Sequence, residues 1–465
     1  MVLILGGALQ ALLCCGARGE LAFQVLYSFR TNDSVRSPNS KLLAVADGSF
    51  YCTTTRAVFR IGPGTVPMKI CDLPTSPNPS YGWAFGGLTE GPDGNLYGTT
   101  SSETYYGGYI TSQGDTVYAV DRAGSCGTLL TFGGTNFPYG FGALAGLVRT
   151  RDGSLFGCTR DTGRSIDHAP LHYGTLFQLR IGEFTGIASF MFSGTNGRGP
   201  TARLLEASDG NLYGTTAGGG AEYTWTNGDW GTVFRLTPAG EVTSLFSFSP
   251  TNGSYPYAGL VEGSDGWLYG TTTSGGAGYG TIFKITTNGV FTELVAFNNV
   301  NGAAPAAELV EGNDGSFYGT TSNGGSAGHG TIFRVTRNGV LTALLSFSPQ
   351  VGYSGDYGFP QSGLVKGIDG NLYGTTYRGG LGYGTFFRLM PPPVITSISQ
   401  SNGCVLLSWS SFRNGVYRVE YKSKLTDTLW VALNPELSSN GSMTSLADCT
   451  ASSAERYYRV VVLAK

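Results

Sequence analysis

Short runs of five to nine residues, rich in apolar, aromatic or β-branched side chains and cut by Gly, Asn, Asp or Ser, follow one another along nearly the whole chain. Ala258 to Phe297 shows the arrangement most clearly, with AGLVEG, LYGTTTS, YGTIFKIT and GVFTELVAF in succession. Runs of this kind, bounded by turn formers, predict strands joined by tight turns. We label the four strands of such a unit a, b, c and d. The junction of a and b carries the phrase DGNLYGTT at Asp93, and related phrases begin at Asp47, Asp152, Asp209, Asp265, Asp314 and Asp369. Its aromatic stands at Tyr51, Tyr97, Phe156, Tyr213, Tyr269, Tyr318 and Tyr373, so the steps are 46, 59, 57, 56, 49 and 55 residues. A repeat of about 50 residues holding four short strands predicts a propeller blade.

The c strand recurs as GTLF at Gly174, GTVF at Gly231, GTIF at Gly280 and Gly330 and GTFF at Gly384, with looser copies at Arg56 and Asp115. Only six d strands follow their own c strands, because the last unit runs from GTFFRLM into Pro391, Pro392 and Pro393. A seventh d-like run, FQVLYSF, stands at Phe23 to Phe29. The expected fold is therefore all-β: a seven-bladed β-propeller over residues 20–390, closed when the N-terminal strand completes the last blade, which leaves no open sheet end. After the proline linker at 391–393, residues 394–465 alternate apolar and polar positions and predict a small C-terminal β-sandwich with Trp409 and Tyr417 in its core.

Composition refines this picture. Of the 465 residues 73 are Gly and only 13% are charged, which suits tight turns between strands and not helices. A net charge of -2 without a Lys/Arg cluster gives no electrostatic reason to expect nucleic acid or an anionic membrane as partner. Residues 1–19, with an apolar run from Val2 to Cys15, predict a signal peptide and a secreted or cell-surface location, and no other run is long enough for a transmembrane span. In an oxidising compartment Cys404 and Cys449 can close a disulfide or remain two small buried hydrophobes. Cys52, Cys71, Cys126 and Cys158 suggest no pairing, and no C-x-x-C motif points to zinc.

The Asp-Gly pairs suit hairpin turns, and one carboxylate per turn is too few for calcium. The b-strand tyrosines read as blade-to-blade packing, and the Thr pair after them as a strand former. Function is sought where the units differ. The a–b and c–d turns are short and uniform, whereas the b–c and d–a connections on the other face are long and varied. The longest b–c loops carry Tyr105, Tyr106 and Tyr109, then His168, His172 and Tyr173, then Tyr223, Trp225, Asp229 and Trp230; Phe137, Tyr139, Tyr255 and Tyr257 lie on neighbouring d–a connections. Exposed aromatics among polar groups can stack on sugar rings and bond hydroxyls, so a polysaccharide or another cell-surface protein is the expected partner. The alternative is that the aromatics fold back over their own loops, which would leave a structural surface repeat without a small ligand. For catalysis, His168 and His172 with Asp161 and Asp167 close by could assemble a metal or a general base, though Pro170 between the histidines argues against a helix that would align them. Glu103, Asp161, Asp167, Glu222 and Asp229 could supply the carboxylate pair of a lyase or hydrolase, but no spacing selects two of them; the expectation is no cofactor and no metal.

The unit AGLVEGSDGWLYGTT followed by GTIFKIT resembles the tandem repeat named for Gloeobacter and Verrucomicrobia, found in secreted or surface-anchored bacterial proteins described as choice-of-anchor repeat proteins. The resemblance spans about residues 21–390, with the first and third units departing most, and implies a secreted setting without an assigned chemistry. The C-terminal pattern resembles a fibronectin type III module. A narrower likeness to streptogramin-lyase propellers stops at the DGxLY turn, because the Glu of their repeat is absent from all seven copies.

Overall fold

The computed structural model describes residues 2–4, 22–30 and 38–463, apart from 39, 55, 63–65, 74–85, 102, 107–108, 113–114, 133–141, 144, 161–172, 183–188, 222, 225–227, 348–361, 378, 380, 382, 425 and 451–455. These residues are all-β, and none forms a helix. Seven of the sheets have four antiparallel strands in the sequential order a, b, c, d. In the fifth unit these are Val261–Glu262, Leu268–Thr272, Thr281–Ile285 and Phe291–Ala296. In the seventh unit the outermost place is taken by Ala22–Ser28, which pairs with Thr385–Met390 from Ala22 opposite Met390 to Ser28 opposite Thr385.

Each a–b turn is built around its aspartate. The Oδ1 of Asp47, Asp93, Asp152, Asp209, Asp265, Asp314 and Asp369 accepts the amide N–H two residues on, at 2.8 to 3.3 Å. In five units the b-strand tyrosine hydroxyl then donates to Oδ2, as Tyr213 does to Asp209 at 2.6 Å and Tyr97 to Asp93 at 2.7 Å. The tyrosine is thus also a turn clamp, beyond the packing role expected from sequence. Burial opposes ionisation of Asp93 and Asp209, but the bonds from Tyr97 and Asn95, and from Tyr213 and Asn211, outweigh it and hold both carboxyls below the usual range. Burial and the adjacent carboxylate push the Tyr213 hydroxyl up to about 12.

The glycine after the tyrosine has a steric cause. Gly214 lies opposite Phe234, and a Cβ there would sit 2.6 Å from the phenyl ring. The same clash recurs between Gly270 and Phe283 and between Gly319 and Phe333. Removing the side chain on b lets the c-strand aromatic cross the sheet into the core. The threonine pair is more than a strand former: its second member meets the first Thr of strand c in a buried hydroxyl contact, Thr216 with Thr232 at 2.8 Å and Thr272 with Thr281 at 2.8 Å. Its first member reaches the next unit, Thr215 donating to the Ala258 carbonyl at 3.0 Å. Acidic side chains on strand a add rim clasps, Glu262 accepting from both the amide and hydroxyl of Ser208.

The cysteines correct one expectation. Cys404 and Cys449 are bridged, and so are Cys71 and Cys126, for which no pairing was expected. Cys71 and Cys126 lie 55 residues apart, one repeat step, on the d strands of adjacent units. Cys52 and Cys158 are buried thiols whose pKa values burial pushes up to about 11 and about 12.

The C-terminal module has two sheets, Ile395–Ser401, Cys404–Ser410 and Met443–Asp448 in one, and Val431–Ser438, Val416–Lys422, Arg456–Leu463 and Val2–Ile4 in the other. They enclose Trp409, Tyr417 and Tyr458, all fully buried, with the Tyr417 hydroxyl accepting the Phe412 amide at 3.0 Å. The module rests on the short-turn side of the repeats: Arg413 N–H donates to the Asp369 carbonyl at 2.9 Å and Asn313 Nδ2 to the Ser411 carbonyl at 3.1 Å.

Tyr213→Phe is expected to cost about 1–2 kcal/mol by leaving one Asp209 oxygen without its hydroxyl donor, while Phe156→Tyr gains little; chemical denaturation of the two variants checks this. Opening the Cys71–Cys126 bridge by the double change to Ser is expected to cost about 2–5 kcal/mol, read as a lower denaturation midpoint that reductant no longer shifts at this site.

Candidate functional site

Two regions of the structure gather polar or aromatic chemistry: the segments that lead into the a strands, and the face of the b–c and d–a connections. At the first, the residue preceding the buried leucine of each a strand is Lys41, Gly87, Gly146, Arg203, Gly259, Glu308 or Gly363. Neighbouring backbones approach so closely that a Cβ on Gly146 would lie 2.8 Å from the Gly87 carbonyl oxygen, and one on Gly363 2.9 Å from the Glu308 carbonyl oxygen. Glycine at four positions leaves room for three charged side chains. Lys41 Nζ bonds Glu308 Oε2 at 2.5 Å across 267 residues of sequence. Arg203 donates from Nε to the Leu147 carbonyl at 2.9 Å and from Nη2 to Thr89 Oγ1 at 3.4 Å. Burial opposes the Glu308 charge, but Lys41 and Arg203 overcome it and hold the carboxyl below its usual range. Sequence reading passed over this trio. The signal was available, since one aligned position is Gly in four units and Lys, Arg or Glu in three.

The second region is the loop face singled out from sequence. Tyr105, Tyr106 and Tyr109 fall in a two-stranded ribbon, Glu103–Tyr106 with Tyr109–Ser112, in which Tyr109 pairs with Tyr106 and Ile110 with Tyr105. His168, His172 and Trp225 lie outside the described residues, as do Phe137, Tyr139, Asp161, Asp167 and Glu222. The remaining candidates come together. The Tyr173 and Tyr223 rings meet edge to face at 6.4 Å between centroids, and the Arg198 guanidinium lies 5.9 Å from the Tyr223 ring. Arg198 pairs with Asp229, its Nε at 3.2 Å from Oδ1, and the Gly219 amide donates to the same oxygen at 2.6 Å. Asp229 therefore braces the loop against the neighbouring d–a connection. Trp230 meets Tyr255 at 6.2 Å, and Tyr255 lies nearly parallel to Tyr257 at 6.3 Å.

Of this group Tyr257 is the most open, at 46% exposure, while Trp230, Tyr173 and Tyr223 are half-buried. Burial raises the pKa of the Tyr257 hydroxyl, aided by Tyr255 and opposed by Arg160 and Arg198. Arg160 and Arg198 were not among the sequence candidates, because single arginines in loops carry no spacing signal. Tyr255 holds a left-handed backbone with φ of 57°, but Ala304, its counterpart before Pro305 in the next unit, has φ of 52°, so this conformation belongs to the repeat. Among the described residues no three His, Cys, Asp or Glu side chains gather in a way that could hold a metal ion.

Fold and loop face together define an all-β repeat protein in which uniform four-stranded sheets carry variable connections on one face. The chain belongs to the Gloeobacter/Verrucomicrobia repeat family, whose model matches residues 143–387. That is the third to the seventh unit. The match is shorter than the expected span of 21–390, and the third unit falls inside it despite Phe156. The first unit places Cys52 where others have Gly, and the second has Ala119 opposite its tyrosine where most units have a long polar side chain. No curated protein matches the chain. Among solved structures it is similar to the extracellular domain of a B. thetaiotaomicron protein named as a hybrid two component system, at TM-score 0.52 and 13% identity, covering 84% of this chain and 45% of that one. A second extracellular domain from that organism gives TM-score 0.46 at 13% identity, covering 92% and 54%. A Mycobacterium tuberculosis puromycin-hydrolyzing peptidase gives 0.43 at 15%, covering 72% and 49%. Only the first of these three likenesses supports an argument, and it concerns the fold alone. The chain spans less than half the length of that protein.

Glu308→Gln is expected to destabilise the protein by about 2 kcal/mol at neutral pH, below the 3–5 kcal/mol of a fully buried broken pair because Lys41 keeps access to water. A carboxyl depressed in the folded state stabilises above its unfolded pKa and loses that contribution as pH falls through the folded value. The difference between wild type and variant should therefore shrink below about pH 4, as urea titrations across pH would show.

Proposed function

We propose that the protein is a secreted or surface-associated binding and scaffolding module, and that the face of long connections binds carbohydrate. In this reading residues 1–19 are a leader, so the edge place that Val2–Ile4 takes beside Arg456–Leu463 belongs to the uncleaved chain and is vacated in the mature protein; the seven sheets form one closed propeller, and residues 394–465 are a fibronectin type III-like spacer. Two observations support closure: Ala22–Ser28 occupies the outer place in the seventh sheet, and Lys41 in the first unit bonds Glu308 in the sixth. A ring lets the two meet, whereas a linear stack of the same units would hold them five units apart.

The observation that carries the binding role is the run of rings Trp230, Tyr255 and Tyr257 beside Tyr173 and Tyr223, with Arg198 and Asp229 between them. The rings come from successive units and are held by backbone bonds of the scaffold, such as Tyr255 N–H to the Trp230 carbonyl at 2.9 Å. Flat apolar platforms with guanidinium and hydroxyl groups at their edges suit pyranose rings, whose apolar faces stack and whose hydroxyls accept and donate. Because the platforms are fixed, little conformational entropy is lost on binding.

The test is incubation of the purified protein with a panel of soluble and insoluble polysaccharides, following both protein depletion and released oligosaccharide. Depletion without product is expected, weakened about tenfold by Tyr257→Ala and by Trp230→Ala. Released product would overturn the reading in favour of a lyase or hydrolase on the same face, and depletion that ignores both substitutions would remove this face from the account.

A further inference from the structure

The C-terminal module carries a second organised surface, remote in sequence from the loop face. Side chains alternate along a strand, so Arg418, Glu420 and Lys422 share one side of Val416–Lys422, and Arg459 stands opposite Glu420 on the neighbouring strand. Glu420 is buried, and its carboxylate accepts from Arg418 Nε at 2.9 Å and from Arg459 Nε at 2.6 Å. The Arg459 guanidinium also lies 4.4 Å from the Trp430 ring centroid, and Lys422 Nζ lies 5.0 Å from it. One carboxylate and one indole thus hold three cations at fixed points. Leu429 and Val431, on either side of Trp430, are exposed apolar residues, Leu429 by 79%.

This concentration of positive charge runs against the rest of the chain. Residues 394–465 hold seven Lys and Arg against five Asp and Glu, while residues 1–393 hold 22 against 26. Guanidinium groups already fixed by a carboxylate and an aromatic face lose little freedom when an anion arrives. A flat sheet bearing fixed cations beside an apolar ridge matches a linear polymer whose rings have apolar faces and regularly spaced carboxylates. The surplus is too small for a phosphate-dense nucleic acid, which calls for a long basic stripe.

We propose that the Arg418–Lys422–Arg459 face of the C-terminal module docks acidic polysaccharide, a polymer of uronic acid rings. Its residues are separate from the loop face, so either surface can fail without the other. The experiment is native electrophoresis of the whole protein in gels cast with polygalacturonate or with dextran. Retardation is expected in polygalacturonate alone, lost in 0.5 M NaCl through screening, at least about fivefold weaker in Arg418→Gln/Lys422→Gln, and unchanged in Tyr257→Ala. Glu420 keeps Arg459 in the double variant; should that variant unfold, Lys422→Gln alone gives a smaller loss of the same sign. Equal retardation in dextran, none in either gel, or insensitivity to these substitutions would overturn the proposal. So would equally tight binding of DNA or of anionic phospholipid vesicles, either of which would make the face a general polyanion binder.

Discussion

The close approach of the a strands is the constraint on which the remaining structure depends. Where Gly146 meets Gly87 and Gly363 meets Glu308, the backbones leave no space for a β-carbon on the glycine, so a side chain at this level must be absent or must be directed away from the neighbouring backbone. Four units take the first course. Lys41, Arg203 and Glu308 take the second, and their charges are then obliged to satisfy one another or a backbone carbonyl. Outward from there, each sheet repeats one solution: a short a strand, a b strand opened by glycine, a c strand whose aromatic fills the opening, and an aspartate turn clamped by tyrosine.

Much of this was legible because it is local and repeated. The Asp-Gly turn, the strand count and the displaced seventh d strand follow from residues a few positions apart, and Ala22–Ser28 stands in the predicted place in the seventh sheet. What escaped notice depends on how side chains meet once the strands are in place, between units or across a turn. Cys71 and Cys126 look unrelated until both are placed on d strands of adjacent units. The Tyr213 hydroxyl looks like packing until the turn folds Asp209 back beneath it. The loop face was legible as composition only: Asp229 read as a possible ligand group, yet the structure gives its carboxylate to Arg198 and Gly219, partners that no spacing identified.

The two faces of the repeat array carry different work. The short turns are stiff, hydrogen-bonded within themselves and clasped to their neighbours, and the C-terminal module rests on them through Asn313, Asp369 and Gly370. A uniform surface is suited to that contact, since the backbone carbonyls it offers stand at fixed positions. The contacts described for the module involve none of the varied connections, and Tyr257 among them is 46% exposed.

The pairing of Ala22 with Met390 brings the entering and departing segments of the repeat array side by side. Tension applied through both would unzip that seam one hydrogen bond at a time, beginning at Ala22 and Met390, which is the weak direction for an antiparallel pair. Tension applied at Met390 alone would enter Thr385–Met390, which is paired on both sides, with Ala22–Ser28 and with Leu372–Thr376, and so would be shared between two ladders. Mechanically, the array resists force least when its entering and departing segments are drawn apart.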